Sequence, residues 1–260
     1  MSARRPVLIN PCPIIDATAE LRFESSLPAA VALGLGYKAL VESFPAVAPL
    51  QTIPLPDELR KANPVLLYQA QYRFESEYFV ALLGPNMFAV GVNGAYTRWP
   101  VISKGFAAAL ERIKGAGIIG LPQRFGLKYT NFFPGNILPM LNVELGIAGA
   151  EITGEETFLR ATIPSPPLKI QIQLATDAKI TASKPPIDPT ISGTLLTVDS
   201  FIEQPWHHEN FLRDLPEHLE LAHTKEKEVF FELLKDEFLD TLNPEFGDAT
   251  PAPVGADTVG

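Results

Sequence analysis

Residues 14–24 alternate without a break. Ile15, Ala17, Ala19, Leu21 and Phe23 fall on one face of an extended chain, and Asp16, Thr18, Glu20, Arg22 and Glu24 fall on the other. A period of two belongs to strands alone. The run therefore predicts a half-buried, antiparallel strand, packed on one side and polar on the other. Such a strand needs a cover, and two stretches repeat at the helical period. Pro100 to about Lys114 carries Ile102, Phe106, Ala109, Leu110 and Ile113 on one stripe, with Gly115 and Gly117 suited to its C-terminal cap. A longer helix follows Asp214, which with Glu217 matches a capping box; its stripe reads Leu215, Leu219, Ala222, Val229, Phe230, Leu233 and Phe238. Asn243-Pro244 should stop it.

Weaker signals fill the remainder. A short helix is expected over about 35–44, ended by Pro45. Prolines through 45–64 suggest an irregular connection. Strands are expected at about 66–75, 77–83, 87–93 and 124–133, with Gly84-Pro85-Asn86 turning a hairpin. Later strands are expected near 142–147, 157–163, 168–175 and 194–202, with a loop at Lys184–Pro189. The sequence thus predicts an α+β protein of antiparallel sheets with helices packed on one face, in two similar-sized halves, 1–140 and 141–243. Residues 244–260 lack core-forming side chains and read as a disordered tail.

Charge separates the same two halves. The net charge is −9, but residues 1–135 hold 13 basic and 9 acidic side chains, whereas 136–260 hold 8 and 21. An acidic second half repels phosphate backbones and anionic lipid, which argues against a nucleic-acid or membrane-surface binder. Opposite signs should instead attract, within one chain or across a homodimer. No apolar run approaches the ~18 residues of a membrane span. Cys12 is the sole cysteine; it cannot form an internal disulfide, and the short Val7-Leu8-Ile9 stretch is too brief for a signal peptide, so a cytoplasmic protein is expected.

Motifs for a cofactor or metal are poor. Gly34-Leu35-Gly36-Tyr37-Lys38-Ala39 fits a relaxed dinucleotide pattern, but Pro45 cuts its helix short and no acid ends a second parallel strand. His207, His208, His218 and His223 lack the i, i+4 spacing of helical zinc pairs. No metal and no cofactor are expected. Cys12, between two prolines, has no evident feature that would make it a nucleophile for a distant histidine. For His223, a bond across the helix–sheet seam is the expected structural role. The side chains that suggest a ligand site are Arg22, Arg98, Lys128 and Asn131. Asn131 shares an apolar strand face with Leu127 and Tyr129 and must find partners there; Arg124 and Lys128 point the other way, and Arg98-Trp99 can line a groove.

Several segments together resemble a prokaryotic family described as sporadically distributed. They are Asn10-Pro11-Cys12-Pro13-Ile14-Ile15-Asp16-Ala17 with Glu20-Leu21-Arg22-Phe23, then Gly126-Leu127-Lys128-Tyr129-Thr130-Asn131, then Leu196-Thr197-Val198-Asp199-Ser200-Phe201 with Ala222-His223. The similarity runs from about 10 to 243, departing at Cys12 and Lys128, where relatives are expected to carry proline and arginine. The resemblance implies a shared α+β fold and no established activity. From the residues, the leading expectation is a non-enzymatic binding or assembly protein acting through a homo-oligomer or protein partner. The alternative is a small-ligand or nucleotide-processing enzyme with a polar, sheet-floored cleft built from Arg22, Lys128 and Asn131.

Overall fold

The computed structural model describes residues 5–50, 59, 62–153, 156–180, 190–203 and 208–246. Its centre is the strand that the alternation predicted, β1 (Ile14–Glu24). Ala17, Ala19, Leu21 and Phe23 are completely buried on one face. Ile15 is the exception, 48% exposed. The register slips between Ile14 and Asp16 where β1 meets its neighbour, so Ile14 turns to the core and Ile15 turns outward, as a bulge requires.

Eight further strands extend β1 into one antiparallel sheet. They are β2 (Ala46–Pro49), β3 (Tyr72–Glu75), β4 (Phe79–Gly84), β5 (Met87–Val92), β6 (Leu121–Pro134), β9 (Phe158–Ser165), β10 (Leu168–Ile180) and β11 (Ile191–Glu203). The order is β2-β3-β4-β5-β1-β6-β11-β10-β9. A separate hairpin joins β7 (Gly146–Ile147) to β8 (Ala150–Glu151). The expected Gly84-Pro85-Asn86 turn is present, with Gly84 opposite Met87. The expected strand over 66–75 is shorter. Its start is instead the one-turn helix α2 (Pro64–Leu67), because Asn63 Oδ1 accepts the Val65 amide at 3.0 Å and Pro64 suits the first helical position. The stretch 142–147 yields only the short β7, after a 3-10 turn at Leu138–Met140.

Helices α1 (Ala29–Leu40), α3 (Trp99–Gly115) and α5 (Leu215–Leu233) cover the face that β1 makes apolar. Helix α1 starts at Ala29, earlier than its glycines suggest, so Gly34 and Gly36 lie inside a helix and not in a phosphate-binding turn. A Cβ on Gly36 would come within 2.8 Å of the end of the Leu83 side chain, which would have to shift. The capping box at Asp214 does not form. A short helix, α4 (His208–Arg213), runs directly into that position, Asp214 has φ −92° and ψ 9°, and its carboxylate accepts the Arg213 guanidinium at 2.7 Å. Helix α5 ends at an extended Leu234, ahead of Asn243-Pro244, and Phe238 belongs to a separate helix, α6 (Asp236–Thr241).

The stretches 1–140 and 141–243 share this one sheet, meeting where β6 pairs with β11. The side-chain core is nevertheless divided. One cluster lies among β1, β4, β5, β6, α1, α3 and the first half of α5; the other joins β10, β11, Phe133, Leu141 and the second half of α5. Residues 244–246, expected in the tail, are described: Glu245 bridges to Leu8, holding the segment before β1 against the chain after α6. Residues 247–260, the Lys184–Pro189 loop and His207 lie outside the described residues.

Candidate functional site

Between the two core clusters lies a cavity of about 500 Å³, inside the roughly 300–1,000 Å³ span of small-molecule sites. The sheet supplies its floor through Tyr129 and Asn131 of β6; α5 supplies a wall through His223, Glu226 and Phe230. The turn before α3 adds Tyr96, α3 itself begins with Trp99, and the segment before β1 adds Val7–Ile9 and Cys12.

A polar chain crosses the floor. Tyr96 Oη lies 3.3 Å from Tyr129 Oη, which lies 3.2 Å from His223 Nδ1. The expected seam contact of His223 is therefore present. Trp99 stacks on the His223 ring with centroids 3.9 Å apart and planes 11° from parallel, while its Nε1 donates to Glu220 Oε1 at 2.8 Å. Burial, aided by the Lys227 charge, pulls the His223 pKa down to about 4, so the ring is neutral near pH 7. Burial pushes Tyr96 up to about 12 and Tyr129 well above the ordinary tyrosine value.

Glu226 is the unusual member. It stands in the buried stripe of α5 between Ala222 and Phe230 and is 5% exposed. Burial raises its pKa to about 8, against the opposing pull of Lys227, so the carboxyl is largely protonated near neutrality. Among the described residues, no hydrogen bond or ion pair reaches it.

Of the four residues singled out from sequence, the cavity brings together Arg98 and Asn131. Asn131 is 1% exposed and donates Nδ2 to Leu196 O at 3.2 Å. Arg22 and Lys128 lie across the sheet, on its polar face, and do not join them. Arg22 Nε is 2.7 Å from Glu20 Oε1, and Lys128 Nζ is 3.3 Å from Asp16 Oδ2. The cleft expected around Arg22, Lys128 and Asn131 is thus corrected: adjacent positions on a strand project to opposite faces, so Lys128 cannot share a site with Tyr129 and Asn131.

The polar face carries its own buried cluster. Arg124 Nη1 donates to Glu20 Oε1 at 3.0 Å and Nη2 to Asp199 Oδ2 at 2.6 Å, with the guanidinium 4.2 Å from the Phe201 ring centroid. Gly126 makes room: a Cβ there would approach Phe201 Cβ to 2.8 Å and Asp199 Oδ1 to 3.0 Å. Burial raises the Asp199 pKa, while Arg124 lowers it. A second hollow, beside β7 and β8, borders Lys235, whose Nζ already donates to Pro139 O at 2.8 Å. Among the described residues, no three His, Cys, Asp or Glu side chains gather as metal ligands, and no helix is long and apolar enough to cross a membrane.

Sequence reasoning missed Tyr96, Tyr129 as a polar group, and Glu226. Glu226 had a signal. The spacing 215, 219, 222, 226, 230, 233 places it on the buried stripe, where every other member is apolar. The sequence reading gave that place to Val229, which is only half-buried.

The fold and site define a class: an α+β protein with one helix-covered antiparallel sheet and an aromatic, acid-bearing cavity between sheet and helix. No family model matches this chain, and no curated protein matches it either.

Proposed function

We propose that this protein binds a small organic molecule in the cavity between β6 and α5. The supporting observation is the cavity itself: about 500 Å³ of mixed aromatic and polar lining at the one seam where the core divides. Five separate chain segments converge on it, and a mostly apolar concavity with a few convergent polar groups is the usual form of such sites. The segments that resemble the sporadically distributed family supply Cys12, Pro13, Ile14, Tyr129, Asn131 and His223 to its walls. That convergence makes membership of the family part of the proposal, with the cavity as the shared feature. An exposed single thiol suits a reducing, cytosolic setting.

Cys12 provides the test, because it is exposed and borders the cavity. A fragment panel followed by ligand-detected NMR should yield binders to the native protein. Alkylation of Cys12 with a bulky maleimide should then block them. Absence of any binder, or equal binding after alkylation, overturns the reading.

A second reading, homo-oligomerisation, is favoured by one observation. Strand β9 ends the sheet, with Phe158 70% exposed and Ile163 also exposed. An unpaired strand edge is a template for another strand. Antiparallel pairing about Ala161 and Thr162 would set Arg160 of one copy opposite Ile163 of the other and avoid like charges. Light scattering should show a dimer that Ala161→Pro dissociates; a native monomer at all concentrations refutes it.

A further inference from the structure

Glu226 has a place in the fold that an apolar residue would fill at no cost. Its stripe neighbours are Ala222 and Phe230, and helical spacing alone would be satisfied by leucine or methionine. A carboxyl largely withdrawn from water without a donor is destabilising. Among the described residues no donor bonds to Glu226, whose carboxyl faces the cavity, whereas Asp199 takes a guanidinium on Oδ2 and leaves Oδ1 without a partner.

The groups around Glu226 share a bias. Asn131 commits Nδ2 to Leu196 O and keeps its amide oxygen as an acceptor. Tyr96 and Tyr129 bring hydroxyl oxygens, and Trp99, Phe230 and Phe231 border the same space. Acceptor oxygens within an aromatic enclosure suit a cation carrying several N–H donors. The cationic side chains are placed differently: Arg98 is exposed and Lys227 only half-buried, so both remain within reach of water. The fully buried end of the cavity therefore presents acceptors, and the solvated end presents donors.

We propose that the molecule held in this cavity is an organic amine bound as its ammonium, with Glu226 as its counter-ion and Asn131 Oδ1 as a second acceptor. This rests on the ligand-binding reading and specifies its chemistry. The amine donates to Glu226, whose carboxyl releases its proton to solvent as the pair forms, so one positive and one negative charge meet inside the site. The apolar body of the ligand lies against the aromatic wall.

Three probes of matched shape test this: 2-phenylethylammonium, 2-phenylethanol and 3-phenylpropionate, each titrated by NMR into the full chain. The native protein should prefer the ammonium over the alcohol by tenfold or more. Glu226→Gln keeps the volume of the side chain and should remove that preference while leaving alcohol affinity within about twofold. A thermal melt of Glu226→Gln establishes that it is folded. Equal affinity for ammonium and alcohol, or preference for the propionate, overturns the amine assignment and leaves ligand binding standing. If none of the three binds while other fragments do, the amine assignment again falls alone. If neither the probes nor the fragments bind, both readings fall.

Discussion

Asp199 and Glu226 lie on opposite sides of the same sheet, both largely withdrawn from water, and only Asp199 is hydrogen-bonded to a cation. Arg124 joins Asp199 to Glu20 and lies over Phe201, while Gly126 leaves space for the cluster. Glu226 faces a cavity and is joined to nothing among the described residues. Burial raises the pKa of both acids; at Asp199 a bonded guanidinium counters it, and at Glu226 only the charge of Lys227, without a bond, does so. The difference teaches how to sort buried charge: an acid joined to a cation is costly to separate from it, whereas an acid that faces a cavity without an ion pair is where a ligand contact is worth testing.

The contrast breaks most sharply at Arg124. Arg124→Met leaves the buried Asp199 without its ion pair, while Glu20 keeps Arg22, and should destabilise the protein by about 3 kcal/mol, read from the denaturant midpoint. Glu226→Leu should act in the reverse direction. It replaces an unsatisfied carboxyl with an apolar side chain at a stripe position, raising stability by up to about 3 kcal/mol while ammonium binding is lost. A loss of stability there would mean that Glu226 is structural and would erase the distinction.

The pH dependence sharpens it further. Folding raises the Glu226 pKa from 4.5 to about 8, so across that window the folded chain keeps a proton that the unfolded chain has released, and stability falls as pH rises. Folding lowers the His223 pKa from 6.5 to about 4, so stability rises with pH across that lower window. The two effects oppose each other between about 4.5 and 6.5. From there to about 8 only the Glu226 loss remains, worth up to about 2 kcal/mol at about 1.4 kcal/mol per unit. Unfolding curves at pH 6.5 and 8 should show this decline in the native chain and not in Glu226→Gln. The smallest effect is expected for Lys128→Ala. Its pair with Asp16 is solvent-exposed on both sides, so the change should stay within about 0.5 kcal/mol.

Local periodicity carried much of the fold. The β1 alternation, the Gly84-Pro85-Asn86 hairpin and the α3 stripe are each written within a dozen or so residues, and each forms. What failed depended on neighbours outside that range. Ile15 alternates correctly in sequence, yet a bulge against β6 turns it outward. Asp214 has the letters of a cap, but α4 delivers the chain to it in the wrong conformation. The site was legible only in pieces. Asn131 was visible as a polar residue on an apolar face, and Glu226 is visible as the one acid in a buried stripe. Their meeting with Tyr96, Trp99 and Cys12 requires strands and helices far apart in sequence to close on one another, and no local pattern encodes that closure. Arg22 and Lys128 were grouped with Asn131 by chemical type although strand parity had already put them on the opposite face.

The nine-stranded sheet has a geometric consequence. Neighbouring strands rotate by roughly 20–25°, so the eight steps from β2 to β9 bring the two edges round by something near half a turn. Helices resting on such a propeller cannot lie side by side along its whole length; those over β4 and β5 must splay from the one over β6 and β11. The hollow that Tyr129 floors sits at that divergence, so the pitch of the sheet, more than any side chain, sets how wide the hollow opens.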